Sequence, residues 1–292
     1  MPSLDSLEPF VEELIFSFDV GAQRAGTHFC FHLDYQDTTY REKALVGLLR
    51  DSIEYFALTH EEFEQFREAG DLVSARRVAW SRISNARKDK KGDYGELLLF
   101  LILTFKMPVR VPRFVTKVRL RSSRGDQIKG FDCAHVTFES GQLYLWLGEA
   151  KFHKSIGAAI ASAMKSLAEH CSGDYLSNEL KILGANCEAN HGIDETLQRE
   201  LDAALNKGRS LDRLKFRIPI LLTYDSPCVA GNATLCDAFR TQLTAELNAH
   251  FASLEGRAGN IPDNFSLLFC LIPFRMVADV KSALEKIEEA MQ

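Results

Sequence analysis

The chain has 292 residues, 46% of them hydrophobic, which suffices for one large buried core or two modest ones, and a net charge of −5. Its longest apolar run, Leu97 to Phe105, is far short of the roughly 20 residues that span a bilayer, and the start lacks the basic and apolar regions of a signal peptide. A cytoplasmic protein with no membrane partner is expected, and seven scattered cysteines without a C-x-x-C exclude a disulfide framework and a zinc site.

In chain order, Glu12 to Tyr35 alternates and reads as strands joined by Gly21 and Gly26. Tyr40 to Ala69 and Ser74 to Ala86 are helical by period, and the polar stretch Ser81 to Gly92 reads as a surface loop. These segments make an N-terminal α/β region over residues 1–90, with a second domain over 91–292. No Pro, Gly or Ser linker separates the two, so they can share a core. A helix over 93–106 is apolar on nearly all sides, which implies burial between a sheet and other helices.

Strands are predicted over Val115–Arg121, Gly130–Phe138 and Leu143–Lys151. A helix over 155–171 follows, with Ser155 as N-cap and Ile156, Ala159, Ile160, Ala163 and Leu167 at helical spacing. A helix near 193–206, a buried strand over Leu214–Tyr224, a helix over 234–255, an apolar strand over Ser266–Pro273 and a helix over 276–290 complete the chain. Pro219 argues that its strand begins there or lies at an edge. The fold class is therefore α/β, a mixed β-sheet flanked by helices.

The two β-favouring runs around Ser140-Gly141 form a hairpin whose even loop pairs residues with numbers summing to 281. Asp132 is thereby set opposite Glu149. Cβ atoms so placed are about 4.5–5.5 Å apart, and like charges there repel. The same face carries Ala134, Val136 and Phe138 on one strand and Leu143, Leu145, Leu147 and Lys151 on the other. Two anions at the end of an apolar surface need a proton or a cation, and close oxygen ligands suit a hard divalent ion such as Mg²⁺, with Mn²⁺ as a substitute. Tyr144 and Trp146 fall on the opposite face as core, and His135 and His153 lie off the Asp132 face in structural roles.

Hydrolysis of a phosphodiester needs an activated water and relief of developing negative charge, which carboxylate-held metal and a nearby ammonium provide. The Asp followed by a hydrophobic strand ending in Glu-x-Lys resembles the PD-(D/E)xK nuclease superfamily, whose core is a mixed sheet flanked by helices. Phe131 stands where that motif usually has Pro. Gly95-Glu96 opens the upstream apolar helix, as in that superfamily, and makes Glu96 the third acidic candidate.

Together, Gly95-Glu96-Leu-Leu-Leu, Lys129-Gly130-Phe131-Asp132 and Leu147-Gly148-Glu149-Ala150-Lys151-Phe152 resemble the HamA family of Hachiman anti-phage defence. The resemblance implies a Mg²⁺-dependent DNA nuclease of low sequence specificity, acting as effector beside a superfamily 2 helicase (HamB-like). It implies Glu96, Asp132 and Glu149 as metal ligands and Lys151 as the fourth catalytic group.

Residues 76–129 hold fifteen Lys and Arg against four acidic residues, a balance of +11, which leaves −16 for the rest of the chain. Such a basic stretch on both flanks of the Glu96 helix suits a phosphate backbone, with Arg119, Arg121, Arg124, Lys129 and Lys154 as candidate DNA contacts. No P-loop, G-x-G-x-x-G, H-E-x-x-H or G-x-S-x-G is present, so ATP-driven work would belong to a partner. The competing reading is a non-catalytic DNA-binding or regulatory subunit that keeps the nuclease fold and clamps a helicase, with Lys151 neutralising Glu149 in the absence of metal.

Overall fold

A computed structural model of the chain describes residues 4–20, 27–84, 93–107, 114–116, 131–140, 142–171, 215–257 and 264–291. Helix α1 (Glu8–Leu14) leads to strands β1 (Ile15–Ser17) and β2 (His28–Leu33) and the short pair β3 (Tyr35–Gln36) and β4 (Thr39–Tyr40). Helices α2 (Glu42–Asp51), α3 (Ile53–Ala57), α4 (His60–Glu68), α5 (Leu72–Ser84) and α6 (Asp93–Phe105) follow. Then come β5 (Phe114–Thr116), β6 (Cys133–Glu139), β7 (Gln142–Phe152), α7 (Ile156–His170) and β8 (Lys215–Asp225). Helices α8 (Pro227–Gly231) and α9 (Asp237–Glu255), strand β9 (Phe265–Phe274) and helix α10 (Val277–Met291) close the described chain.

Seven strands form one sheet in the order β1-β2-β9-β8-β7-β6-β5. The middle four run parallel, and β1, β6 and β5 are each antiparallel to their inner neighbour. This is the mixed, helix-flanked sheet expected for the α/β class. Because β2 pairs with β9, the N-terminal strands extend the same sheet that carries the acidic hairpin. Helices cover both faces. On one, His170 of α7 meets Glu149 and His250 of α9 meets Tyr224. On the other, α6 lies so close to β7 that a Cβ on Gly95 would come within 3.2 Å of Phe152 Cβ and 3.3 Å of Ala150 Cβ. Leu97 to Leu103 are all buried there, between the sheet and helices α1 and α3, which explains the all-round apolar pattern of α6.

The hairpin register holds from Glu139↔Gln142 to Cys133↔Gly148, and Ser140 takes the left-handed φ of 49° that two-residue hairpin turns require. Helix α7 begins after Ser155, whose Oγ accepts from the Ala158 N–H, and buries Ala159, Ile160, Ala163 and Leu167.

Two expectations are corrected. Pro219 is neither at a strand start nor at an edge, because β8 lies between β7 and β9 with Pro219 near its middle. The β7–β8 ladder steps from Trp146↔Arg217 to Glu149↔Ile220, so the missing proline N–H falls in a gap of the pairing while Pro219 still pairs with Leu268 on the other side. Glu12 to Leu14 are helical rather than extended, since Pro9 sits in the first turn of α1 and Val11 and Leu14 bury at a spacing of three. The predicted helix near 193–206, the end of the predicted strand beyond Thr116, and most of the loop over 81–92 lie outside the described residues.

Helix α4 begins with a reciprocal cap: Thr59 Oγ1 accepts from the Glu62 N–H and Glu62 Oε2 accepts from the Thr59 N–H. Burial alone would raise the Glu62 carboxyl, but the Arg82 guanidinium and the Thr59 donors outweigh it and hold the pKa below its ordinary 4.5. A depressed carboxyl contributes stability above its unfolded pKa and loses it as pH falls through the folded value. Glu62→Gln should therefore lower the urea midpoint at pH 7, and the gap from wild type should shrink toward pH 3.

Candidate active site

Asp132, the residue before β6, leaves the regular ladder. Its N–H donates to Gly148 O at 2.9 Å, and its Oδ2 accepts from the Ala150 N–H at 2.8 Å. The carboxylate thus takes the place of the next strand residue and satisfies a backbone donor that the end of β6 would leave unpaired. Glu149 lies on β7 between the two backbone groups that Asp132 engages. Its side chain points to the face covered by α7, where Lys151 Nζ donates to Oε1 and His170 Nδ1 stands 3.5 Å from Oε2. That second distance is longer than a well-formed hydrogen bond.

Asp132, Glu96 and Glu149 are 8%, 6% and 2% exposed, a depth at which carboxylates persist only when partnered. Burial drives the Glu149 carboxyl up, yet His170 and Lys151 overcome it and leave its pKa below the ordinary value. Cys133, buried at the start of β6, has its thiol pushed well up, first by burial and then by the charges of Asp132, Glu96 and Glu149. All three acidic side chains therefore lie within electrostatic reach of one sulfur. They arrive from different elements: Glu96 from α6, Asp132 from the lead into β6, Glu149 from β7.

Two glycines set this geometry. Gly95 lets α6 approach Ala150 and Phe152, which brings Glu96 to the end of the sheet. A Cβ on Gly148 would stand 2.3 Å from Cys133 Sγ and 3.0 Å from Leu99 Cδ2, so only glycine permits the thiol and the helix to close over β7 before Glu149.

Three buried oxygen-bearing anions suit a hard divalent cation and no soft one. Among the described residues, no three His, Cys, Asp or Glu side chains are already gathered tightly enough to hold an ion. The physical reason lies in the contacts: Glu149 is turned to Lys151 and His170, and Asp132 to the Ala150 N–H, so mutual repulsion is relieved by other partners.

Lys151 is 16% exposed at its side chain and directly paired with Glu149. Lys154 is exposed just past β7, while Arg119, Arg121, Arg124 and Lys129 lie outside the described residues. Trp146 is buried and donates to Thr137 Oγ1 at 2.8 Å, and Arg217 stacks over Tyr144 and Trp146 on that face while pairing with Glu139. His153 is held toward its neutral form by burial and by Lys151 and Lys281. His170 was not among the sequence candidates. It lies 21 positions after Glu149, at the last turn of α7, and no local spacing connects the two.

Among the described residues no helix is long and apolar enough to cross a membrane. No curated protein matches the chain. The family model of HamA matches residues 8–287, nearly the whole sequence, a span that includes Glu96, Asp132, Glu149 and Lys151. The chain belongs to the HamA family, and with it to Hachiman anti-phage defence.

Proposed function

We propose that this chain is the metal-dependent DNA nuclease of its defence system, hydrolysing phosphodiester bonds without strong sequence specificity. The observation that carries the reading is the Glu-x-Lys pair in place, with Lys151 Nζ on the Glu149 carboxylate and the Asp132 carboxylate bonded to the intervening Ala150 N–H. Asp132 and Glu149 would hold Mg²⁺, with Glu96 contributing directly or through water. When bound, Mg²⁺ supplies a Lewis acid and a water of lowered pKa. Lys151, already paired with the Glu149 carboxylate on β7, would position the attacking water and offset charge building on the phosphate. Lys154 and the basic residues upstream would hold the backbone, without reading bases.

A superfamily 2 helicase is the partner that the family resemblance implies, and the absence of an ATP-binding motif and the acidic remainder of the chain are compatible with it. The test is plasmid degradation by the chain co-purified with a superfamily 2 helicase subunit (HamB-like), with ATP and Mg²⁺. DNA should be lost, and EDTA should stop the loss. Intact plasmid under those conditions, with the helicase hydrolysing ATP normally, would contradict the proposal.

The dispersed carboxylates favour one competing reading, a regulatory subunit that keeps the fold and clamps the helicase. Mn²⁺ separates the two, since a clamp should bind no ion between Asp132 and Glu149.

A further inference from the structure

We propose that His170 is a positioning residue that fixes the Glu149 carboxylate for metal binding and ties it to the Asp132 strand. The proposal rests on the nuclease reading and names a residue outside the Asp, Glu and Lys set.

The imidazole touches both carboxylate-bearing segments. Its Nδ1 lies 3.5 Å from Glu149 Oε2, and its ring meets Phe131 edge-on with centroids 4.9 Å apart. Phe131 is buried and immediately precedes Asp132. Lys151 takes the other oxygen of Glu149, so the two partners divide the carboxylate and fix its rotation. The ring itself is held by the end of α7, whose buried face of Ala159, Ile160, Ala163 and Leu167 anchors the helix. A carboxylate held by one mobile lysine would sample several rotamers. One held also by a ring wedged against Phe131 keeps a single rotamer, at lower entropic cost on binding an ion. An N–H on Nδ1 is present in the cationic form and in one neutral tautomer, so a donor can face Glu149 without a charged ring.

The roles of packing and donation can be separated. His170→Phe keeps an aromatic ring against Phe131 and removes the donor, whereas His170→Asn keeps a donor near the Nδ1 position. Mn²⁺ binding to the full chain is titrated by the EPR signal of the free ion, and thermal unfolding is measured in EDTA. Loss of an outer partner typically weakens metal binding by about 10- to 100-fold. His170→Phe should weaken Mn²⁺ binding by at least about tenfold while His170→Asn restores most of it, with little change in metal-free melting. His170→Leu, a smaller side chain, gives the same comparison if the phenyl ring cannot be housed. Wild-type affinity in both His170→Phe and His170→Leu would overturn the positioning role, even as loss of binding in Glu149→Gln left the metal reading standing. A wild-type chain that binds no Mn²⁺ would overturn both.

Discussion

Under the proposed nuclease function, Glu149→Gln should abolish DNA degradation by the chain with its proposed helicase partner while leaving the fold intact. The substitution keeps the shape of the side chain but removes the anion that Lys151 and His170 both face. An uncharged amide is a poor ligand for a hard cation, and removing one electrostatic contributor to such a transition state costs on the order of 10²–10³ in rate. Lys151→Ala should produce a loss of similar order by a different route, since the carboxylates remain and only the group proposed to orient water is gone. Plasmid loss against time, with ATP and Mg²⁺, measures both. Near-normal rates in Lys151→Ala would remove that residue from the chemistry. Circular dichroism and melting should stay close to wild type for Glu149→Gln, because Lys151 is partly exposed and can turn to water when its partner becomes neutral.

Gly148→Ala should be the most destabilising single methyl group that can be added to this site. Its Cβ would lie 2.3 Å from Cys133 Sγ, 3.0 Å from Leu99 Cδ2 and 3.7 Å from Pro219 Cγ, so sulfur, helix and proline ring close on it from three sides. Overpacking a core costs about 1–3 kcal/mol, and the shortest of these contacts is below any ordinary approach, which puts the cost at the upper end of that range. About 2–4 °C of melting temperature is lost per kcal/mol in chains of roughly 150–250 residues, so a drop of several degrees is expected here. Cys133→Ala alone should also destabilise, by leaving a small cavity. Combining the two should be milder than the sum, since the added methyl can occupy space vacated by the sulfur. Strict additivity in that double-mutant cycle would show that the clash is relieved elsewhere.

Much of this architecture was legible in one sequence because it follows from local periodicity. The hairpin register came from the parity of its turn and holds pair by pair to Cys133↔Gly148. The helix after the Glu-x-Lys strand was legible from Ser155 and from apolar residues at helical spacing, all but Ile156 of which are buried. What failed depended on neighbours distant in sequence. Pro219 was misplaced because proline usually marks an edge, whereas β8 tolerates it through a gap in the ladder facing Gly148. Asp132 was read as one more regular pair, but its side chain takes over a backbone acceptor's role just before β6 begins.

The sequence by itself determined the strand pair and its register as far as Cys133↔Gly148, since a period of two and a two-residue turn fix which residues face each other, and it placed Asp132, Glu149 and Lys151 at one end of the pair. Only the tertiary structure decided which groups complete the site. His170 reaches Glu149 because α7 folds back over β7, and Glu96 reaches Cys133 because Gly95 lets α6 settle on the other face. Those contacts join elements by packing, and packing is set by shapes that meet only once the sheet has assembled.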